Sequence, residues 1–150
     1  MRQFRVILGY ILLYNSSGYT QEILINEYLA SNVRAFPEMY DFDDYSDWIE
    51  LYNPGTASYS LNGFFLTDDL ADPLKWKIPD NTEIESEGYL IIWADDYDES
   101  PGQVYMRPYW PWDNFTTQHY HTNFKISANG EQLGLARADQ IGSYTLIEEG

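Results

Sequence analysis

No window of the chain repeats its apolar residues every 3.6 positions; they come in short alternating runs, each cut off by turn-forming residues. That pattern excludes a helical bundle and points to a sheet protein. In DWIELYN, Ile49 and Leu51 share one face and Trp48 and Tyr52 the other, before Asn53-Pro54-Gly55 ends the run. LKWKI alternates around Trp76 and stops at Pro79-Asp80, while GYLIIWADD is apolar on both faces, as a central strand is. EILINEYLA sets Ile23, Ile25 and Leu29 against Leu24 and Tyr28. Gly63 inside LNGFFLTDD predicts a bulge or a close backbone approach. TNFKIS, with Phe124 and Ile126 in phase, leads into Asn129-Gly130, a pair suited to a tight hairpin, after which Leu133 and Leu135 resume the pattern. About seven or eight strands at this spacing predict an all-β, antiparallel β-sandwich, with a barrel as the rival. Its interior is expected to hold Ile25, Ile49, Leu51, Phe64, Ile91, Phe124 and Leu135.

Composition narrows the partners. With 24 acidic against 8 basic residues and a net charge of −16, the chain repels phosphate backbones, so nucleic acid is not expected as a partner. The 44% hydrophobic content of 150 residues suffices for one domain with a real core. Absence of cysteine excludes disulfides, thiolate metal sites and cysteine nucleophiles. At the N-terminus, Arg2 and Arg5 precede the apolar stretch 6–14, and small polar residues follow, the order of a secretory signal. We therefore read residues 1–20 as a signal peptide and 21–150 as the domain; the alternative makes 6–14 its first strand. The apolar stretch is too short to span a bilayer, and no membrane span is expected in the mature chain.

Six segments in order, ILINEYLASN, YSDWIELYNPG, LNGFFLTDD, KWKIP, EGYLIIWADD and HTNFKISANGEQLGL, carry a resemblance. Over residues 22 to 136 the chain resembles the lamin-tail domain, in the form found in bacterial secreted and cell-surface proteins. The resemblance implies an immunoglobulin-like sandwich and a non-catalytic module. In animal lamins such a domain mediates interactions of the nuclear scaffold; in bacteria it accompanies exported hydrolases and adhesive or matrix-associated proteins. The implied role is interaction or anchoring, with a protein, a surface polymer or other domains of a longer parent as partner, in a secreted or cell-surface location. The resemblance also leads us to expect a last strand beyond Gly150, so that the chain is a C-terminally truncated domain. Asn26, Glu27, Asp47, Trp48, Glu50, His121 and Asn123 fall in its motifs and are read as structural. Glu27 and Glu50, in otherwise apolar strands, are expected to bond backbone groups or Tyr hydroxyls.

Two segments invite a functional reading. Where the family has a shorter crossing, residues 97–120 hold Tyr105, Tyr109, Trp110, Trp112 and Phe115 among three prolines. Rings on a stiffened loop either bind a partner, making the chain a carbohydrate-binding module in one alternative, or fold down as a lid on the sandwich end. In DFDDYSD, Asp41, Asp43 and Asp47 form a candidate calcium site, because a hard cation prefers several carboxylates on one loop. The segment lacks the central Gly and closing Glu of a helix-loop-helix calcium loop. In the competing view it is a solvated loop in which Asp47 orders the start of the strand by accepting backbone N–H bonds. No other cofactor is expected. His119 and His121 are spaced to share a strand face, but no third histidine exists. No Gly-x-Ser-x-Gly elbow occurs, and Asp68-Asp69 and Asp95-Asp96 lie at strand ends. A hydrolase using loop carboxylates would need two of them facing across a cleft, and no enzymatic activity is expected.

Overall fold

The computed structural model describes residues 23–35, 37–38, 45–97, 120–130 and 132–138, together with the backbone of 144–149. The described strands, in chain order, are β1 (Leu24–Leu29), β2 (Trp48–Tyr52), β3 (Tyr59–Ser60), β4 (Phe64–Thr67), β5 (Trp76–Lys77), β6 (Glu83–Ile84), β7 (Tyr89–Trp93), β8 (Gly134–Ala138) and β9 (Tyr144–Glu149). They form an antiparallel sheet β1-β2-β7, a second sheet β5-β4-β8-β9, and a ribbon β3-β6. No helix occurs among the described residues. The architecture is an immunoglobulin-like antiparallel sandwich.

Its interior follows from strand periodicity. In β2 the residues Ile49 and Leu51 face inward, opposite Ile92 and Leu90 of β7, and meet Phe64, Leu66, Trp76 and Leu135 from the second sheet. Leu61, Ile78, Ile84, Phe124 and Ile126 fill the ends. Burying each such side chain contributes about 1.5–3 kcal/mol, which makes this cluster the main stabilising element. Phe64 is gripped further by the Tyr59 ring, edge-on at 6.0 Å, and by the Arg137 guanidinium 5.6 Å from its centroid.

Four expectations need correction. In β7 it is Ile92, fully buried, that faces inward; Ile91 is only half-buried and pairs with Glu50 on the opposite face. Four consecutive apolar residues in YLIIW conceal the phase, whereas registration with β2 fixes it. In β1 a bulge between Ile25 and Glu27 shifts the register, so Tyr28 rather than Leu29 packs against the core after Ile25. Gly63, in a turn ahead of β4 with φ of +79°, meets the second of its two expectations: it is no bulge, but its carbonyl accepts the Ala138 N–H of β8 at 3.0 Å, a close backbone approach. TNFKIS forms no strand: Phe124 and Ile126 are buried, and among the described residues the segment meets the end of β7 through an isolated bridge from Lys125 to Asp95 and through the bonds of Thr122 N–H to Trp93 O and Asp96 N–H to Phe124 O. Asn129-Gly130 accordingly makes a turn, with Gly130 at φ +98°, that joins no paired strands.

Buried polar side chains tie the loops to this core. Asn53, fully buried at the end of β2, donates through Nδ2 to the carbonyls of Ala57, Ile84 and Glu85 at 2.8, 2.9 and 2.9 Å. Its Oδ1 accepts the Gly55 N–H at 3.0 Å. Thr67 Oγ1 sits 2.8 and 2.7 Å from the carbonyls of Asp69 and Asp72, and Thr122 Oγ1 donates to Phe124 O at 2.6 Å. Each satisfies backbone groups that burial would otherwise leave bare.

Two stability experiments separate these contributions. In urea denaturation, Ile92→Ala is expected to cost about 2–5 kcal/mol, as truncations of buried isoleucine do, with Ile91→Ala clearly less. The reverse ranking would place the core on the other face of β7. Asn53→Ala should lose about 1–3 kcal/mol, because carbonyls of three residues are left without their donor in a buried site.

Candidate functional site

β2 and β7 are antiparallel, so the start of one lies beside the end of the other, and Asp47, Asp95 and His121 gather at that end. Asp47 precedes β2, and its backbone carbonyl accepts the Ala94 N–H at 2.7 Å, just past β7. Asp96, with φ of +60°, turns the chain away while its N–H bonds Phe124 O at 3.1 Å. The returning segment docks here: Trp93 N–H bonds Tyr120 O and Thr122 N–H bonds Trp93 O, both at 2.8 Å. These ties place His121 over Asp95.

The imidazole of His121 lies between two carboxylates. Nδ1 is 2.8 Å from Asp95 Oδ2, and Nε2 is 3.3 Å from Glu38 Oε1. Side-chain exposure is 8% for His121, 12% for Asp95 and 0% for Glu38, so little solvent screens the trio. The Tyr97 ring stands edge-on to the imidazole, centroids 5.7 Å apart. Beside Asp95 opens a polar cleft of about 350 Å³ lined by Tyr45, Asp47, Tyr97 and Lys125. Glu38, Asp95 and His121 are the described residues placed to share a metal ion, their ligand atoms lying within 4.8 Å of one another.

A family model described as Lamin Tail Domain matches residues 16–146 of the chain. The chain belongs to the lamin tail domain family. Comparison with curated proteins and with solved structures returned no match. The family is one of non-enzymatic immunoglobulin-like domains, the architecture found here.

Within the lamin tail domain the motif residues divide between the sheet and the site. Asn26, at the bulge of β1, donates from Nδ2 to Glu50 Oε1 at 2.7 Å. Glu50 thus takes a side-chain amide, where a backbone group or Tyr hydroxyl was expected. Glu27 stands opposite Glu50 in the register, and Trp48 opposite Trp93, both tryptophans buried. Asn123 Nδ2 donates to Lys75 O at 3.2 Å. Among these residues His121 and Asp47 bring ionisable side chains to the end where β2 starts and β7 finishes. Glu38 and Asp95 complete the trio without belonging to the residues singled out as motif or metal positions. Asp95 had a local signal as an acid closing an apolar strand; Glu38, in FPEMY, had none. Asp41, Asp43, Tyr105, Tyr109, Trp110, Trp112, Phe115 and His119 lie outside the described residues.

Asp47 acts through its backbone surroundings. Its Oδ1 accepts the Asn32 N–H at 2.8 Å, and Asn32 in turn donates from Nδ2 to Ser46 O and accepts the Ala35 N–H. Burial pushes the Asp47 carboxyl above its ordinary value of 3.8, against the backbone N–H groups of Asn32 and Ser31 and the charge of Lys125, which pull it down. With the value raised on folding, the native chain holds this proton more tightly than the unfolded chain. The associated stability is fully present below pH 3.8 and is lost as pH rises through the folded-state value. Asp47→Asn keeps an acceptor for Asn32 and removes the titration. Urea melts of the two proteins should therefore shift in favour of the variant as pH climbs from below 3.8 towards neutrality. Asp47→Ala removes the acceptor and should cost about 1 kcal/mol.

Proposed function

We propose that this lamin tail domain is an exported, non-catalytic interaction module that anchors its parent protein to another protein or to a surface polymer. Family membership over residues 16–146 is the observation that carries it. The chemistry of the chain supports the reading. Its strongly acidic charge favours basic or cation-bridged partners and disfavours nucleic acid. The rigid sandwich presents side chains without large rearrangement; on the face of β1-β2-β7 away from the core, Tyr89 is 57% exposed and stacks on Tyr52 with centroids 4.6 Å apart. Such a stacked pair offers contact area at little cost in rotamer entropy. Among the described residues no helix is long and apolar enough to cross a membrane. The basic and apolar start of the chain supports export, in the manner of bacterial secreted relatives of the fold.

The test uses the full chain fused at its C-terminus to a fluorescent reporter in a bacterial host. The expected outcome is cleavage near residue 20, reporter outside the cytoplasm, and retention on the cell surface or its polymers. Reporter confined to the cytoplasm with residues 1–20 intact would remove the export reading. Hydrolysis of polysaccharide, ester or phosphodiester substrates, abolished by Asp95→Asn, would overturn the non-catalytic one. Retention on an insoluble polysaccharide, lost when Trp110 and Trp112 become Ala, would make the module a carbohydrate binder instead.

A further inference from the structure

The two carboxylates that flank His121 stand at different distances, and the difference is informative. At 2.8 Å, Nδ1 and Asp95 Oδ2 fall in the range of about 2.7–2.9 Å for a charge-assisted N–H···O bond. At 3.3 Å, Nε2 and Glu38 Oε1 fall well outside it. A proton shared between them would draw the pair to the shorter length. Two donors each about 2.0–2.1 Å from a common cation are about 2.9 Å apart at a right angle and about 3.3 Å apart at the tetrahedral angle. The second spacing is that of a coordination edge.

We propose that His121 Nε2 and the Glu38 carboxylate bind a divalent transition-metal ion of the zinc type, with Asp95 as the positioning residue that holds the imidazole through Nδ1–H. The tautomer follows from the geometry. A proton on Nδ1, donated to Asp95, leaves the Nε2 lone pair facing a carboxylate that is 0% exposed. A cation between them attracts both the lone pair and the carboxylate. A carboxylate on the far nitrogen is also the usual companion of a metal-bound histidine, because it fixes the ring and raises its basicity.

The framework is built to hold this arrangement. Bonds from Trp93 and Thr122 on either side of His121 fix the segment against β7, and the Asp96 N–H to Phe124 O bond fixes Asp95 from the next residue. The Tyr97 ring limits rotation of the imidazole. An imidazole with a carboxylate selects zinc, cobalt or nickel over calcium and magnesium, which prefer oxygen alone. The site is therefore distinct in ligands and in ion from the calcium site considered for Asp41, Asp43 and Asp47. Two protein donors fill two of the positions of a four-coordinate ion.

The full chain, stripped with chelator and titrated with zinc chloride in a calorimeter, is expected to bind one ion per chain. In the long-range nitrogen–proton spectrum of the unmutated protein, zinc should move His121 Nε2 to a metal-bound position while Nδ1 stays protonated. Glu38→Gln and His121→Gln should each weaken binding at least tenfold, and His119→Gln should leave it intact. Asp95→Asn should weaken it about 10–100-fold. It should also let the metal-free ring populate the Nε2–H tautomer, an effect Asp95→Glu reverses and a merely structural residue would not have. No heat above the chelator control, zinc at His119, or binding undiminished in both Glu38→Gln and His121→Gln would overturn the assignment. Because the spectrum is read on the natural sequence, a variant that fails to fold does not decide the matter.

Discussion

The carboxamide of Asn53 is the joint on which one end of the sandwich depends. β2 is the central strand of its sheet, and where it ends the carbonyls of Ala57, Ile84 and Glu85, from two neighbouring stretches of chain, converge on this one buried side chain. A buried carbonyl without a donor costs more than any surface contact returns. One primary amide, two hydrogens shared among three oxygens, closes that deficit. Short polar side chains serve the same purpose elsewhere, Thr67 at the exit of β4 and Thr122 next to His121. An amide or hydroxyl close to the backbone suits the task, because it reaches only its neighbours and adds little volume to a packed interior.

The opposite end of the sheet is held differently. There main-chain bonds among Asp47, Ala94, Trp93, Tyr120 and Thr122 act beside the side chains of Asp47 and Asn32, and charged groups are brought together. The division is economical. An uncharged joint lets one end pack tightly, while the other presents Asp47, Asp95 and Lys125 along a polar cleft, with His121 bonded to Asp95. The apolar layer between them, from Ile49 and Leu51 across to Phe64, Leu66 and Leu135, keeps the two ends a fixed distance apart.

Much of this was legible from residue order. DWIELYN announced both the alternation of β2 and its termination, and the inward residues Ile49 and Leu51 follow from period-two geometry alone. Phase was lost where that geometry is silent. YLIIW gives no alternation to follow, so only pairing with β2 turns Ile92 inward, and the bulge at Asn26 has no marker such as glycine. TNFKIS showed the alternation of a strand because Phe124 and Ile126 do enter the core, yet the backbone between them finds no ladder. At the site, His121 stood out as the histidine of HTNFK. Its partners did not: Asp95 lies 26 residues away and meets it only through the fold. Glu38 gave no local sign, since burial of a lone glutamate is a property of the folded chain and not of its neighbours in sequence.

Asp95 and His121 both hang from the last residues of β7, one by direct continuation and the other by the parallel bridge at Trp93. A tilt of that strand carries the pair along as a unit. Glu38 reaches the same imidazole from a different stretch of chain, upstream of Asp47. A shift of β7 therefore moves Asp95 and His121 in the same direction and leaves the 2.8 Å bond between them at constant length.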